Sequence, residues 1–132
     1  MAGTTVRDDG AVEAAFTTAL EAVGVDRDSP RFDTAQATIN RTMGQSKADV
    51  FATLLAPQDA EGATAAFAAA YEASVARGGV SAMLGAPEVF GAPRAHGVLV
   101  CLTTGFAPTT PTAPHTALIA GIADLISTTT PP

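Results

Sequence analysis

The sequence predicts an α/β protein that is predominantly helical, and three observations predict it. Apolar residues recur at helical spacing in four successive segments between residues 11 and 77. The texture changes at Gly78-Gly79. Beyond it an unbroken apolar run, Val98-Leu99-Val100-Cys101-Leu102, lies between Gly97 and Thr103-Thr104-Gly105. Such a run reads as a strand buried on both faces, as in a parallel sheet. The expected organisation is a leader over 1–10, a helical unit over 11–77, and a partial core over 78–132 made of linker, helix, strand and helix.

Met1 to Gly10 is rich in Gly, Thr and Asp and reads as a loop, with Asp8-Asp9 in a solvated turn. Val12, Phe16, Leu20 and Val23 predict a helix over 11–24, stopped by Gly24. Ser29-Pro30 supplies an N-cap and a first-turn proline. Phe32, Ala35, Ile39 and Met43 then mark one face of a second helix, ended by Gly44. Ser46-Lys47-Ala48-Asp49 reads as a capping box, with Val50, Phe51, Leu54 and Leu55 as the buried face behind it and Pro57 as the stop. An Ala-rich helix follows over 59–76, with Phe67, Ala70, Tyr71 and Val75 facing inward. The short connections favour antiparallel neighbours. Val80 to Gly85 reads as a linker. Ala86 to Ala95 reads as a helix, although Gly91 and Pro93 cost roughly 1 and 3 kcal/mol in a helix interior. A last helix is expected over 114–126, and a polar tail after it.

The chain is long enough, at 132 residues, for one domain with a core. It is 47% hydrophobic with a net charge of −6 and no basic cluster, which argues against a nucleic-acid surface. Cys101, the single cysteine, cannot form an internal disulfide and reads as a small core residue. No apolar run approaches the length of a membrane span, and the polar start is unlike a secretory signal. The cytoplasm is the expected compartment. His96 and His115 stand far apart, and no Cys-His or Asp-His spacing suggests a metal site. Ser81 lacks a nucleophile-elbow context. A lone parallel-type strand needs neighbours that the rest of the sequence does not offer. Its open edges are expected to be covered by a partner or by a second copy of the chain.

Three segments, in this order, resemble the phosphonatase-like branch of the haloacid-dehalogenase superfamily, the phosphonoacetaldehyde hydrolase type. The first is Met1-Ala2-Gly3-Thr4-Thr5-Val6, similar to the opening Asp-x-Ala-Gly-Thr-Thr-Val pattern. The second is Met43-Gly44-Gln45-Ser46-Lys47, similar to the Met-Gly-x-x-Lys of the cap. The third is the 98–102 run ending in Thr103-Thr104-Gly105. The resemblance implies a Rossmann-like core fragment with a four-helix cap insertion. It implies Mg²⁺-dependent cleavage of a small phosphonate or phosphate ester through an aspartyl-phosphate, with Ala2 giving a backbone carbonyl to the metal. It implies that Thr104 and Gly105 bind the phosphoryl group, that Met43 borders the substrate, and that Lys47 forms a Schiff base with the substrate aldehyde. That last role has a physical basis. An iminium withdraws electrons from a C–P bond, and only a neutral amine can attack the aldehyde. A first-turn position disfavours the ammonium through the helix dipole.

The sequence also departs from the pattern. Met1 follows the place of the nucleophilic aspartate, Val50 stands where the family has a histidine, and no Lys or Arg occurs after Arg94. Phosphoryl transfer depends on metal and charge clamps as much as on the nucleophile. A chain truncated at both ends and without turnover is therefore expected. Two other readings stay open: a catalytically dead helical interaction module, and part of a general phosphatase of the same superfamily, which Val50 favours.

Overall fold

The structure is a computed structural model and describes residues 6–99. These form five helices and one two-stranded sheet, in the order β1 (Val6–Arg7), α1 (Ala11–Ala22), α2 (Pro30–Arg41), α3 (Lys47–Leu54), α4 (Pro57–Ala76), β2 (Ser81–Ala82) and α5 (Ala86–Ala95). Contacts divide the described residues into two compact units, one of residues 10–73 and one of residues 6–9 with 74–99.

In the helical unit the expected periodicities become buried faces only in part: Val23, Phe32, Leu54, Leu55, Ala70 and Val75, expected on those faces, are half-buried. Val12, Phe16, Ala19 and Leu20 of α1 are buried, as are Ala35 and Ile39 of α2, Val50 and Phe51 of α3, and Ala60, Ala63, Phe67 and Tyr71 of α4. Helix α1 ends where only glycine is comfortable. Gly24 takes φ 77°, the Gly24 N–H donates to the Glu21 carbonyl and the Val25 N–H to the Leu20 carbonyl, each at 3.0 Å. That is a Schellman closure, and both apolar residues that frame it, Leu20 and Val25, are buried. Helix α2 opens as the sequence predicts. Ser29 Oγ accepts from the Phe32 N–H at 3.2 Å, and Pro30 occupies the first turn.

Two local expectations fail here. The Ser46 side chain makes no capping bond, so no capping box forms; only its backbone carbonyl is used, accepting from the Val50 N–H at 3.1 Å. Pro57 does not close α3 but opens α4. A proline lacks an N–H and has a helical φ already set, so the first turn accepts it at no loss. Six described threonines share a habit: Thr17, Thr18, Thr34, Thr42, Thr53 and Thr64 each donate the hydroxyl to the carbonyl four residues back, at 2.7–3.1 Å.

The second unit corrects the sequence reading further. The stretch read as a loop over 1–10 contains β1, and the stretch read as a linker over 80–85 contains β2. They pair antiparallel, with Val6 opposite Ala82 and Arg7 opposite Ser81. Val6 is 1% exposed, which gives the pair an apolar anchor. This is the only sheet among the described residues, and no Rossmann-like core is seen among them. The expected 98–102 strand is not borne out at its start: Val98 and Leu99 carry no strand and are 55% and 97% exposed. Its remaining residues, and the helix expected over 114–126, lie outside the described residues.

Helix α5 forms over the expected span despite Pro93. Its C-terminus is closed by the Val98 N–H donating to the Pro93 carbonyl at 3.0 Å, and His96 Nδ1 lies 2.9 Å from the Ala92 carbonyl. Helix α4 ends in a tighter closure, with the Gly78 N–H on the Val75 carbonyl and the Gly79 N–H on the Ser74 carbonyl, both at 2.9 Å. A Cβ at Gly79 would stand 2.9 Å from the Ser74 carbonyl oxygen, and that oxygen belongs to a backbone already fixed by the closure. Gly79→Ala is therefore expected to lower stability by about 1–3 kcal/mol, as overpacking does. Gly91→Ala, where a Cβ meets nothing within 4 Å, should raise it by up to about 1 kcal/mol through helix propensity. Urea unfolding of the two variants beside the parent chain measures both, and equal midpoints for the pair would contradict the placement.

Candidate functional site

The helical unit is built around four aromatic rings. Phe16 of α1 lies with its centroid 5.4 Å from that of Phe51 on α3 and 4.7 Å from that of Phe67 on α4, both tilted by 53°. Phe51 meets Phe67 edge-on at 6.2 Å, and Tyr71 stacks on Phe67 at 6.1 Å. Tilted and edge arrangements avoid facing two negative ring faces, and each such pair adds about 0.5–1.5 kcal/mol beyond area burial.

Lys47, the first residue of α3, meets this cluster. It is 7% exposed and is the one buried charged residue among those described. Nζ stands 5.5 Å from the Phe16 ring centroid and donates a long 3.4 Å hydrogen bond to the Gln45 carbonyl. The ring face and the carbonyl both favour an ammonium. Burial opposes them and prevails, so the amine is held below its ordinary value of 10.5. Lys47 is also the only lysine of the chain. A first-turn lysine would ordinarily extend into water; here it lies beside Phe16 from α1 and the Gln45 carbonyl of the turn before α3.

The other predicted site residues are not brought to it. Met43 does not lie on the buried face of α2. That helix ends at Arg41, Thr42 caps it, and Met43 stands in the following turn, 43% exposed. The Thr42 N–H makes the last helical bonds, to the Thr38 and Ile39 carbonyls, and the chain then turns away through Gly44 at φ 96° before the periodic pattern runs out. Ala2, Thr104 and Gly105 lie outside the described residues. Val50, one turn along α3 from Lys47, is buried. The sequence reading missed Phe16 and the Gln45 carbonyl as neighbours of the amine. The available signal was Phe51, four residues beyond Lys47 and so on the same helix face.

Among the described residues, no three His, Cys, Asp or Glu side chains converge to hold a metal ion, and no helix is long and apolar enough to cross a membrane. Comparison with family models, with curated proteins and with solved structures finds no match for the chain.

The lowered Lys47 value has a consequence for stability with a definite sign. Between that value and 10.5 the unfolded chain holds the proton and the folded chain does not, so stability rises with pH through this window. Below it both states are protonated, and the cost of the buried charge is present in full. Urea midpoints measured over a series of pH values should climb in the alkaline range for the parent chain and stay flatter for Lys47→Met. An unchanged slope in that variant would assign the effect to another group.

Proposed function

We propose that Lys47 is an imine-forming amine in the helical cap of a phosphonatase-like hydrolase of the haloacid-dehalogenase superfamily, and that the class of molecule it meets is a small aldehyde bearing a phosphonate. The observation that carries this reading is the burial of the amine against Phe16 with its basicity lowered. An ammonium has no lone pair to offer, whereas a neutral amine attacks an aldehyde carbon, and loss of water from the carbinolamine gives the imine. The protonated imine then draws electrons from a neighbouring C–P bond. The Rossmann-like core, the phosphoryl contacts of Thr104 and Gly105, and the magnesium ion at the Ala2 carbonyl rest on resemblance alone. The described residues offer that ion no donor set, and the proposed step does not use it. Val50, in place of the family's histidine, has no proton to give the dehydration step. The reading is therefore of imine formation without turnover.

A specific observation favours a second reading. The Gln45 carbonyl and the Phe16 ring already satisfy a lysine whose role is to tie the turn between α2 and α3 to the aromatic cluster. In that case the chain is a catalytically inert helical module.

Borohydride reduction in the presence of phosphonoacetaldehyde separates the two. Because the chain has one lysine, peptide mass mapping reads the adduct without ambiguity. The expected result is a reduced adduct on Lys47 that increases with pH and is lost in Lys47→Arg. Failure to label Lys47 at saturating aldehyde, with the N-terminal amine labelled as an internal control, would leave only the inert module.

A further inference from the structure

We propose that the Asp9–Gly10 peptide is a site of spontaneous isoaspartate formation in the folded chain. It is the only Asp-Gly step in the sequence, and it forms the turn between β1 and α1. Asp9 is the only non-glycine residue with positive φ among those described, at 43°, a region that costs an L-residue energy and that Asp tolerates better than most. Its side chain is 62% exposed. Its one ion pair, to Arg7 Nε at 3.0 Å, lies in water with the arginine side chain 66% exposed. Such a solvent-exposed pair holds the carboxylate only weakly. Gly10 presents its nitrogen without a Cβ beside it, and it is the Gly10 carbonyl that α1 engages, accepting from the Ala14 N–H at 3.0 Å.

The chemistry balances without a co-reactant. The Gly10 nitrogen attacks Cγ of the Asp9 carboxylic acid, a C–N bond forms, and one water leaves to give a five-membered succinimide. Water then opens the ring at either carbonyl. Opening at Cγ restores aspartate; opening at the former main-chain carbonyl leaves the chain running through Cβ and Cγ, with a free α-carboxylate. The strained left-handed backbone at residue 9 is relieved in the second product, because the added methylene removes the constraint on φ.

Asp28-Ser29 provides an internal comparison. It also lies in an exposed turn, but the Ser29 N–H donates to the Asp26 carbonyl at 3.1 Å and the Asp28 N–H to Asp26 Oδ1 at 3.0 Å. The attacking nitrogen there is engaged and the turn is held.

The test incubates the full folded chain near neutral pH and digests it. Isoaspartate is then read by peptide mapping and by an isoaspartyl carboxyl methyltransferase with S-adenosylmethionine. Isoaspartate is expected at residue 9 severalfold faster than at residue 28. Asp9→Asn, which closes the same ring by losing ammonia, should convert faster still. Asp9→Glu, which would need a six-membered ring, should abolish the signal. Accumulation no faster at residue 9 than at residue 28 would overturn the proposal. So would a folded chain that stays unmodified while a free peptide of residues 6–12 converts.

Discussion

The packing of the Phe16 ring is the constraint on which the helical unit depends. One side chain on α1 meets Phe51 from α3, Phe67 from α4 and the amine that opens α3. Three helices are thereby fixed through a single 1% exposed group. A lost ring of this kind typically costs about 3–5 kcal/mol, comparable with the whole stability of a small domain. Alanine elsewhere on α4 supplies close approach but little area, so the aromatic contacts carry a disproportionate share of the burial. The depressed basicity of Lys47 comes from its burial, which outweighs the favourable contact of the ammonium with the Phe16 ring.

Much of this was legible in the sequence, and the failures have physical reasons. The spans of α1, α2 and α5 follow from apolar spacing together with Gly24, Ser29-Pro30 and Ala86 to Ala95. Periodicity fails where there is no room for a period. β1 and β2 have two residues each, too few to alternate, and their pairing joins positions far apart in the chain. Pro57 reads as the stop of α3 but opens α4, because the residue that bars one helix from continuing suits the first turn of the next. Met43 fits the face of α2 by spacing, yet the helix ends at Arg41 and the chain turns at Gly44, so the next position of the period is never reached.

The amine was only half legible. Its place at the start of α3 could be read from neighbouring residues, but its burial could not, because Phe16 is distant in sequence and reaches it only through tertiary packing. A lysine is ordinarily among the last residues to leave water. Here the chain has one, and it is enclosed. Every other basic side chain apart from the two histidines is an arginine, so the only side-chain amine of the protein is the one held out of solvent.

The threonine hydroxyls bonded to their own helices carry a different implication. A hydroxyl that gives its proton to the preceding turn has no donor left for the solvent and meets water only as an acceptor. The helices are accordingly less well hydrated than their threonine content suggests. Hydrogen-bond donation to water from these helices therefore falls to side chains other than these six threonines.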